Sequence, residues 1–289
     1  MIFDKILLGL YYLDEINKVR IRKIIKFRPI KSIRRRYRNF VLNKFKKNFV
    51  ILDELKMYVE PNEYLKLVIQ DHKGGHAKYL KNNIRKGDVV IDVGANIGYY
   101  TCLLSKLVGP NGHVYAFEPE PKNFSLLTKN VKMNNCTNVT IERKAVSDIT
   151  GTSKLNISPG STTGHSIYEN FDDDNSIDVQ TITLDDYFGD HKIINYVKSN
   201  AQGADYPMLL GMKKTLERSN NIQLWLEFDP GLIIKANESP INFLNFLKNS
   251  NFELFVSNAI EGKLKRKDVN EVLKYVRNFN GCALICKKI

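Results

Sequence analysis

Cysteine is scarce in this 289-residue sequence: four residues (Cys102, Cys136, Cys282 and Cys286) and no CxxC pair. A disulfide framework or a zinc ribbon is therefore not expected. Cys282 and Cys286 fall in an apolar run that reads as a final core strand, where they act as small buried hydrophobes, and a reducing, cytoplasmic compartment fits. Long hydrophobic runs are missing too. The stretch from Ile6 to Leu13 stops at Asp14-Glu15 without a small-residue cleavage site, too short to span a bilayer and a poor signal peptide. Histidine numbers five. His72 and His76 stand four apart, but Gly74-Gly75 between them argues against a helical metal pair, and Asp172-Asp173-Asp174 reads as a solvated loop, so no metal site is expected.

Acidic residues are nearly absent from one end only. Residues 1–50 hold 15 Lys/Arg against 3 Asp/Glu, while the other 239 residues hold 29 against 28. The net charge of +13 thus belongs to an N-terminal arm, and the body is close to neutral. We read a basic helical arm over 1–48 and a catalytic domain over 49–289, with its core at about 84–289. In the arm, Arg34-Arg35-Arg36-Tyr37-Arg38-Asn39-Phe40 interleaves charge with aromatic residues. Two readings stand level: peripheral attachment to an anionic membrane surface, at about 1 kcal/mol per basic residue, or a solvated extension packed on the domain or a partner. Nucleic acid is disfavoured because the body is close to charge-neutral.

What the body does contain is an apolar strand, Val89-Val90-Ile91-Asp92-Val93, running into Gly94-Ala95-Asn96-Ile97-Gly98, with Glu118-Pro119 at the end of the next apolar run. A buried strand, a glycine turn and a helix whose first N–H groups are free make a nucleotide-cradling unit. Gly94 and Gly98 would let backbone approach a ligand, and Glu118 is spaced to accept from a ribose diol. Asn96 stands where a dinucleotide fingerprint would need its middle glycine. Asp92 would orient the turn. After the third strand, Ser147 or Asp148 would border an adenine.

Around this unit strands and helices alternate. Strands are expected near 89–93, 113–118, 138–143, 193–198, 222–228, 252–257 and 282–287, and helices near 97–107, 121–134, 204–218, 240–249 and 268–278. A hairpin is expected over 49–59. The pattern predicts an α/β fold: a mainly parallel seven-stranded sheet with helices on both faces. The polar segment 146–190 breaks the rhythm and reads as an insertion with short strands near 153–157 and 178–182, lying over the carboxyl ends of the strands.

The motifs in order resemble the FkbM-type S-adenosylmethionine-dependent methyltransferases. They are Gly87-Asp88, Ile91 to Gly98, Phe117-Glu118-Pro119, Asn130 with Asn134, Ala145-Val146-Ser147, Thr183-Leu184-Asp185, Lys198 through Gly203-Ala204-Asp205, and Leu224 to Glu227. The resemblance covers about 84–289 and implies a Rossmann-like class I methyltransferase fold. It also implies S-adenosyl-L-methionine as cofactor and O-methylation of a hydroxyl on a sugar, glycan, lipid-linked glycan or related small molecule. Cofactor-binding residues would be Asp92, Gly94, Asn96, Gly98, Glu118, Pro119, Ser147 and Asp148. The family's fourth-strand motif, Lys-x-Asp-x-Glu/Gln-Gly-Ala-Glu, appears here as Lys198-Ser199-Asn200-Ala201-Gln202-Gly203-Ala204-Asp205. Asn200 replaces an Asp, and a neutral amide takes no proton. Catalytic candidates are Lys198, Asn200, Glu227 and His165, with Asp185 as a further possible base. The alternative is a catalytically weakened binding or scaffold protein, with an RNA methyltransferase a more distant one.

Overall fold

The computed structural model describes residues 48–60, 75–158, 163–167, 175–257, 264–279 and 281–289; apart from Asn48, the basic arm lies outside them, as do His72 and Asp172 to Asp174. The strands in chain order are β1 (Phe49–Leu52), β2 (Leu55–Tyr58), β3 (Val89–Val93), β4 (His113–Phe117), β5 (Val139–Glu142), β6 (Ala145–Val146) and β7 (Gly151–Asn156). They continue with β8 (Ser176–Ile182), β9 (Tyr196–Ser199), β10 (Gln223–Phe228), β11 (Phe252–Ser257), β12 (Leu264–Lys267) and β13 (Cys282–Lys288). The helices are α1 (Gly75–Asn83), α2 (Tyr99–Val108), α3 (Pro121–Met133), α4 (Leu184–Phe188), α5 (Asp205–Leu210), α6 (Lys213–Arg218), α7 (Pro230–Lys235), α8 (Pro240–Asn249) and α9 (Val269–Phe279).

Among the described residues the main sheet runs β12-β11-β13-β10-β9-β3-β4-β5. Pairings from β5 through β10 are parallel, while β13 runs antiparallel between β10 and β11, and β12 antiparallel to β11. The seven expected strands are present in a mostly parallel sheet. The count of seven is corrected to eight: β12, Leu-Lys-Arg-Lys, is an edge strand with no apolar run to announce it. Parallel strands covered on both faces need apolar residues on both sides. Accordingly Ile91, Val197, Leu224 and Leu226 fill one layer, and Val90, Val114, Tyr196, Trp225 and Ile285 fill the other. The chain steps outward from β3 to β4 and β5, then returns to lay β9 on β3's other side. That reversal leaves a crevice beyond the carboxyl ends of β3 and β9.

Two local departures follow from chain chemistry. The helix expected over 204–218 breaks at Gly211 into α5 and α6, glycine being a poor helix former. The insertion's two expected strands are present as β7 and β8, and with β6 they form a separate sheet, β6-β8-β7. The β1–β2 hairpin docks on α3 without joining the main sheet. Asn130 accepts from Tyr58 N (2.6 Å) and donates to Tyr58 O (3.0 Å). Asn134 repeats the exchange with Lys56 N (3.1 Å) and O (3.0 Å). Two amides one helical turn apart thus serve the edge of β2 as a neighbouring strand would.

Candidate active site

Three residues in left-handed backbone conformations shape the turn after β3: Gly94 (φ 69°), Asn96 (φ 53°) and Gly98 (φ 88°). A Cβ on Gly94 would overlap the Asn200 carbonyl, and one on Gly98 would overlap the Leu127 side chain. Both glycines therefore answer to packing, the first pressing the turn onto the end of β9 and the second onto α3. The Asn96 side chain accepts from Ile97 N at 2.7 Å and fixes the turn locally.

Glu118 lies at the end of β4, 5% exposed. Its Oε2 accepts from Asn96 N (2.7 Å) and its Oε1 from Glu120 N (3.0 Å). Burial pushes its pKa up to about 7 and the Glu120 carboxylate raises it further, against hydrogen bonds from those two amides and from the Asn123 side chain. A carboxylate offers about four acceptor sites, so this one keeps capacity toward a hydroxyl donor. Pro119 is half-buried beside it, and Glu120 caps α3 by accepting from Asn123 N at 2.6 Å. Ser147 is buried after β6 and donates to the exposed Asp148 at 3.0 Å.

Asp92 is fully buried and its two oxygens are engaged within the chain. Oδ1 takes Lys198 Nζ at 2.9 Å, and Oδ2 takes the Thr101 hydroxyl at 2.7 Å. Lys198, 3% exposed, also donates to Gly94 O at 3.2 Å and lies 5.2 Å over the Tyr100 ring. The pair is a clamp joining β3, β9, α2 and the glycine turn; Asp92 orients the turn through the lysine.

At the ends of β9 and β10 the chain brings Asn200 and Glu227 together. Gln202 Nε2 donates to Asn200 Oδ1 (2.8 Å) and to Glu227 Oε2 (3.0 Å). Burial pushes the Glu227 pKa up to about 7, with Asp205 and Asp229 raising it further and Lys198 opposing. Asp205, 1% exposed, is pushed up to about 6, chiefly by burial. His165 sits elsewhere in the cleft. Its Nδ1 accepts from Ser158 N at 3.0 Å, so in the neutral ring Nε2 carries the proton and acts as a donor. Burial lowers its pKa and the Glu120 carboxylate opposes. Asp185 is spent on α6, accepting from Lys214 N, Thr215 N and the Thr215 hydroxyl.

Sequence reasoning passed over Gln202 and Asp205 as site residues although both lie in the quoted motif. His76, weighed in the sequence only beside His72, meets the Trp225 ring edge-on with centroids 4.9 Å apart.

Two buried carboxyls and the half-buried Glu227, all with raised pKa values, give a signed pH dependence. Glu118, Glu227 and Asp205 hold their protons more tightly folded than unfolded. Their stabilisation is present below about pH 4.5 and is lost as pH rises toward 7. Thermal melts of the ligand-free protein are expected to fall between pH 5 and 8. Glu118→Gln should recover about 1–3 kcal/mol at pH 8; a variant as pH-sensitive as wild type would refute this.

The fold and this site define a methyltransferase. The Methyltransferase FkbM domain model matches residues 92–280, more than half the chain, and the chain belongs to that S-adenosyl-L-methionine-dependent family. A protein-L-isoaspartate(D-aspartate) O-methyltransferase model matches residues 25–148. The hexuronic acid methyltransferase AglP of Haloferax volcanii is 30% identical over 146 residues, 50% of this chain and 57% of that protein. The 31-O-demethyl-FK506 methyltransferase FkbM of Streptomyces tacrolimicus is 38% identical over 86 residues, 29% of this chain and 32% of that one. In both, the chain spans less than two thirds of the relative's length. Among solved structures, an S-adenosylmethionine-dependent O-methyltransferase of Thermotoga maritima is similar at 15% identity and TM-score 0.41, covering 87% of this chain and 81% of that one. TYW2 of M. jannaschii in complex with AdoMet is similar at 17% identity and TM-score 0.43, covering 84% and 85%. No helix among the described residues is long and apolar enough to cross a membrane.

Proposed function

We propose that this protein transfers a methyl group to a hydroxyl oxygen of a sugar, glycan or related small molecule. The observation that carries the reading is Glu227, a carboxylate with its pKa near 7 at the end of β10, tied through Gln202 to Asn200. The Asn200 carbonyl in turn packs on Gly94 of the turn after β3. When bound, S-adenosylmethionine supplies an electrophilic methyl group on a sulfonium, transferred by in-line displacement. Glu118 would hold the ribose hydroxyls with its remaining lone pairs. The Asp92–Lys198 clamp keeps the glycine turn and β9 in fixed register, which is where alignment is gained. A sugar hydroxyl is a weak nucleophile, and Glu227 would take its proton as the carbon–oxygen bond forms. Asn200 would donate to the same oxygen. A hydroxyl acceptor is also in keeping with two relatives, one a hexuronic acid methyltransferase and the other a 31-O-demethyl-FK506 methyltransferase.

Calorimetry with S-adenosylmethionine and S-adenosylhomocysteine tests the first half. Glu118→Ala is expected to weaken both by on the order of 10²-fold, the worth of two hydrogen bonds to a charged acceptor. Label transfer from methyl-tritiated S-adenosylmethionine to a panel of methyl glycosides, uronic acids included, tests the second. Cofactor binding without transfer to any glycoside would favour a binding or scaffold role built around Asn200.

We further propose that the basic stretch 1–48 attaches a domain over 49–289 to anionic membrane surfaces. Its support is charge alone, 15 Lys/Arg in the first 50 residues. The full chain is expected to float with phosphatidylserine vesicles and not with neutral ones, and the association should weaken at high salt. A tighter RNA gel shift would reverse that assignment.

A further inference from the structure

The Gln202 side chain touches both Asn200 and Glu227, and its own conformation is costly. Its φ is 51°, in the left-handed region that a non-glycine residue enters at about 1 kcal/mol or more. Such strain persists where the surroundings over-determine it, and here they do. The buried Ser166 hydroxyl donates to the Gln202 carbonyl at 3.1 Å. Ser166 is itself locked to β7 by a reciprocal pair of backbone bonds with Asn156, at 2.8 and 3.1 Å. The insertion thus reaches over the sheet and holds this residue's backbone in place. On the far side, Ala201 N donates to Asp205 at 3.3 Å.

We propose that Gln202 is the positioning residue of the acceptor site, tying the Glu227 carboxylate to Asn200 so that the two present one donor and one acceptor to the incoming group. This rests on the methyl-transfer reading above. The Gln202 amide has two N–H donors, and the two bonds use both. They occupy Asn200 Oδ1 and Glu227 Oε2. Asn200 Nδ2 and Glu227 Oε1 are left without hydrogen bonds among the described residues. A hydroxyl answers both at once, accepting from the amide and donating to the carboxylate. A carboxylate would be repelled by Glu227, and an ammonium offers no acceptor to Asn200. The arrangement gives Asn200 a use that an Asp would lose: an aspartate there has no proton to donate, and with Gln202 it would bring a second negative charge up to Glu227.

The charged groups around Glu227 are Asp205 from α5, Asp229 next along its own chain and Lys198 from β9. Gln202 adds a neutral donor to that set, and a donor to a carboxylate favours its ionised form. The test is side-chain carbon NMR on the full chain labelled at glutamate carboxyls and saturated with S-adenosylhomocysteine, with the Glu227 signal assigned by its loss in Glu227→Gln. Gln202→Leu is expected to raise the Glu227 titration midpoint by about one pH unit. Gln202→Glu, close to isosteric, should raise it further. Calorimetric affinity for S-adenosylhomocysteine should stay within about twofold of wild type in both. A midpoint unmoved in Gln202→Glu, with the nucleoside still bound, overturns the proposal. Failure of the wild type to bind S-adenosylhomocysteine would instead overturn the methyl-transfer reading on which it stands.

Discussion

Glu227→Gln is expected to lower the rate of methyl transfer by roughly 10²–10⁴-fold, the usual contribution of a positioned base. Affinity for S-adenosylmethionine should be unchanged, because Glu118 and the glycine turn follow β4 and β3, and β9 stands between those strands and β10. The substitution keeps size and one acceptor oxygen, so the loss reports proton transfer more than packing. The pH profile carries the sharper signature. Burial, reinforced by Asp205 and Asp229, holds the Glu227 carboxyl protonated up to about pH 7. Only the ionised form takes a proton, so kcat/KM should climb as pH rises toward 7 and level off above it. In Glu227→Gln that limb should vanish, leaving a low, flat profile. Steady-state rates across pH 5 to 9, on any glycoside that turns over, decide the matter. Residual activity above about a tenth of wild type would remove Glu227 from the base role.

Lys198→Met is expected to cost about 3–5 kcal/mol of stability, the penalty for leaving one partner of a buried ion pair behind. Asp92 has no exposure to water and would keep only the Thr101 hydroxyl. For a domain of this size the melting temperature should drop on the order of 10 °C. The double variant Asp92→Asn/Lys198→Met should recover much of the loss, since it removes the stranded charge. With Asp92→Asn alone added, comparing the four proteins by differential scanning calorimetry gives the coupling directly. A Lys198→Met protein that melts with wild type would mean that the clamp contributes little.

The nucleotide-binding half of the molecule could be read closely in the sequence because its signals are local. Val89 to Val93 is apolar at every position but Asp92, and the helices expected near 121–134 and 240–249 form as α3 and α8; in the structure each starts at a cap followed by proline, Glu120-Pro121 and Ser239-Pro240. Asp229-Pro230 is the same kind of start, yet α7 was not anticipated, because its six residues are too few to show a helical period. The antiparallel setting of β13 was invisible for a different reason. A buried apolar strand carries no mark of its direction, and its neighbours β10 and β11 come from separate stretches of chain. At the site, residue identities were legible and their pairings were not. Asp92 and Lys198 are 106 positions apart, and nothing in either segment states that they share a bond. For His165, the sequence shows a loop histidine but not which ring nitrogen the Ser158 backbone amide claims.

The place of β13 also has a bearing on how the domain assembles. The strand that joins β10 to β11 follows both of them in the chain by more than twenty residues. Until it arrives, β10 and β11 each expose an unsatisfied edge of backbone N–H and C=O groups, the kind of template that captures other chains. A ribosome paused before residue 282 would therefore hold a half-closed sheet prone to sticking to its neighbours, and the burden on chaperones would peak in that interval.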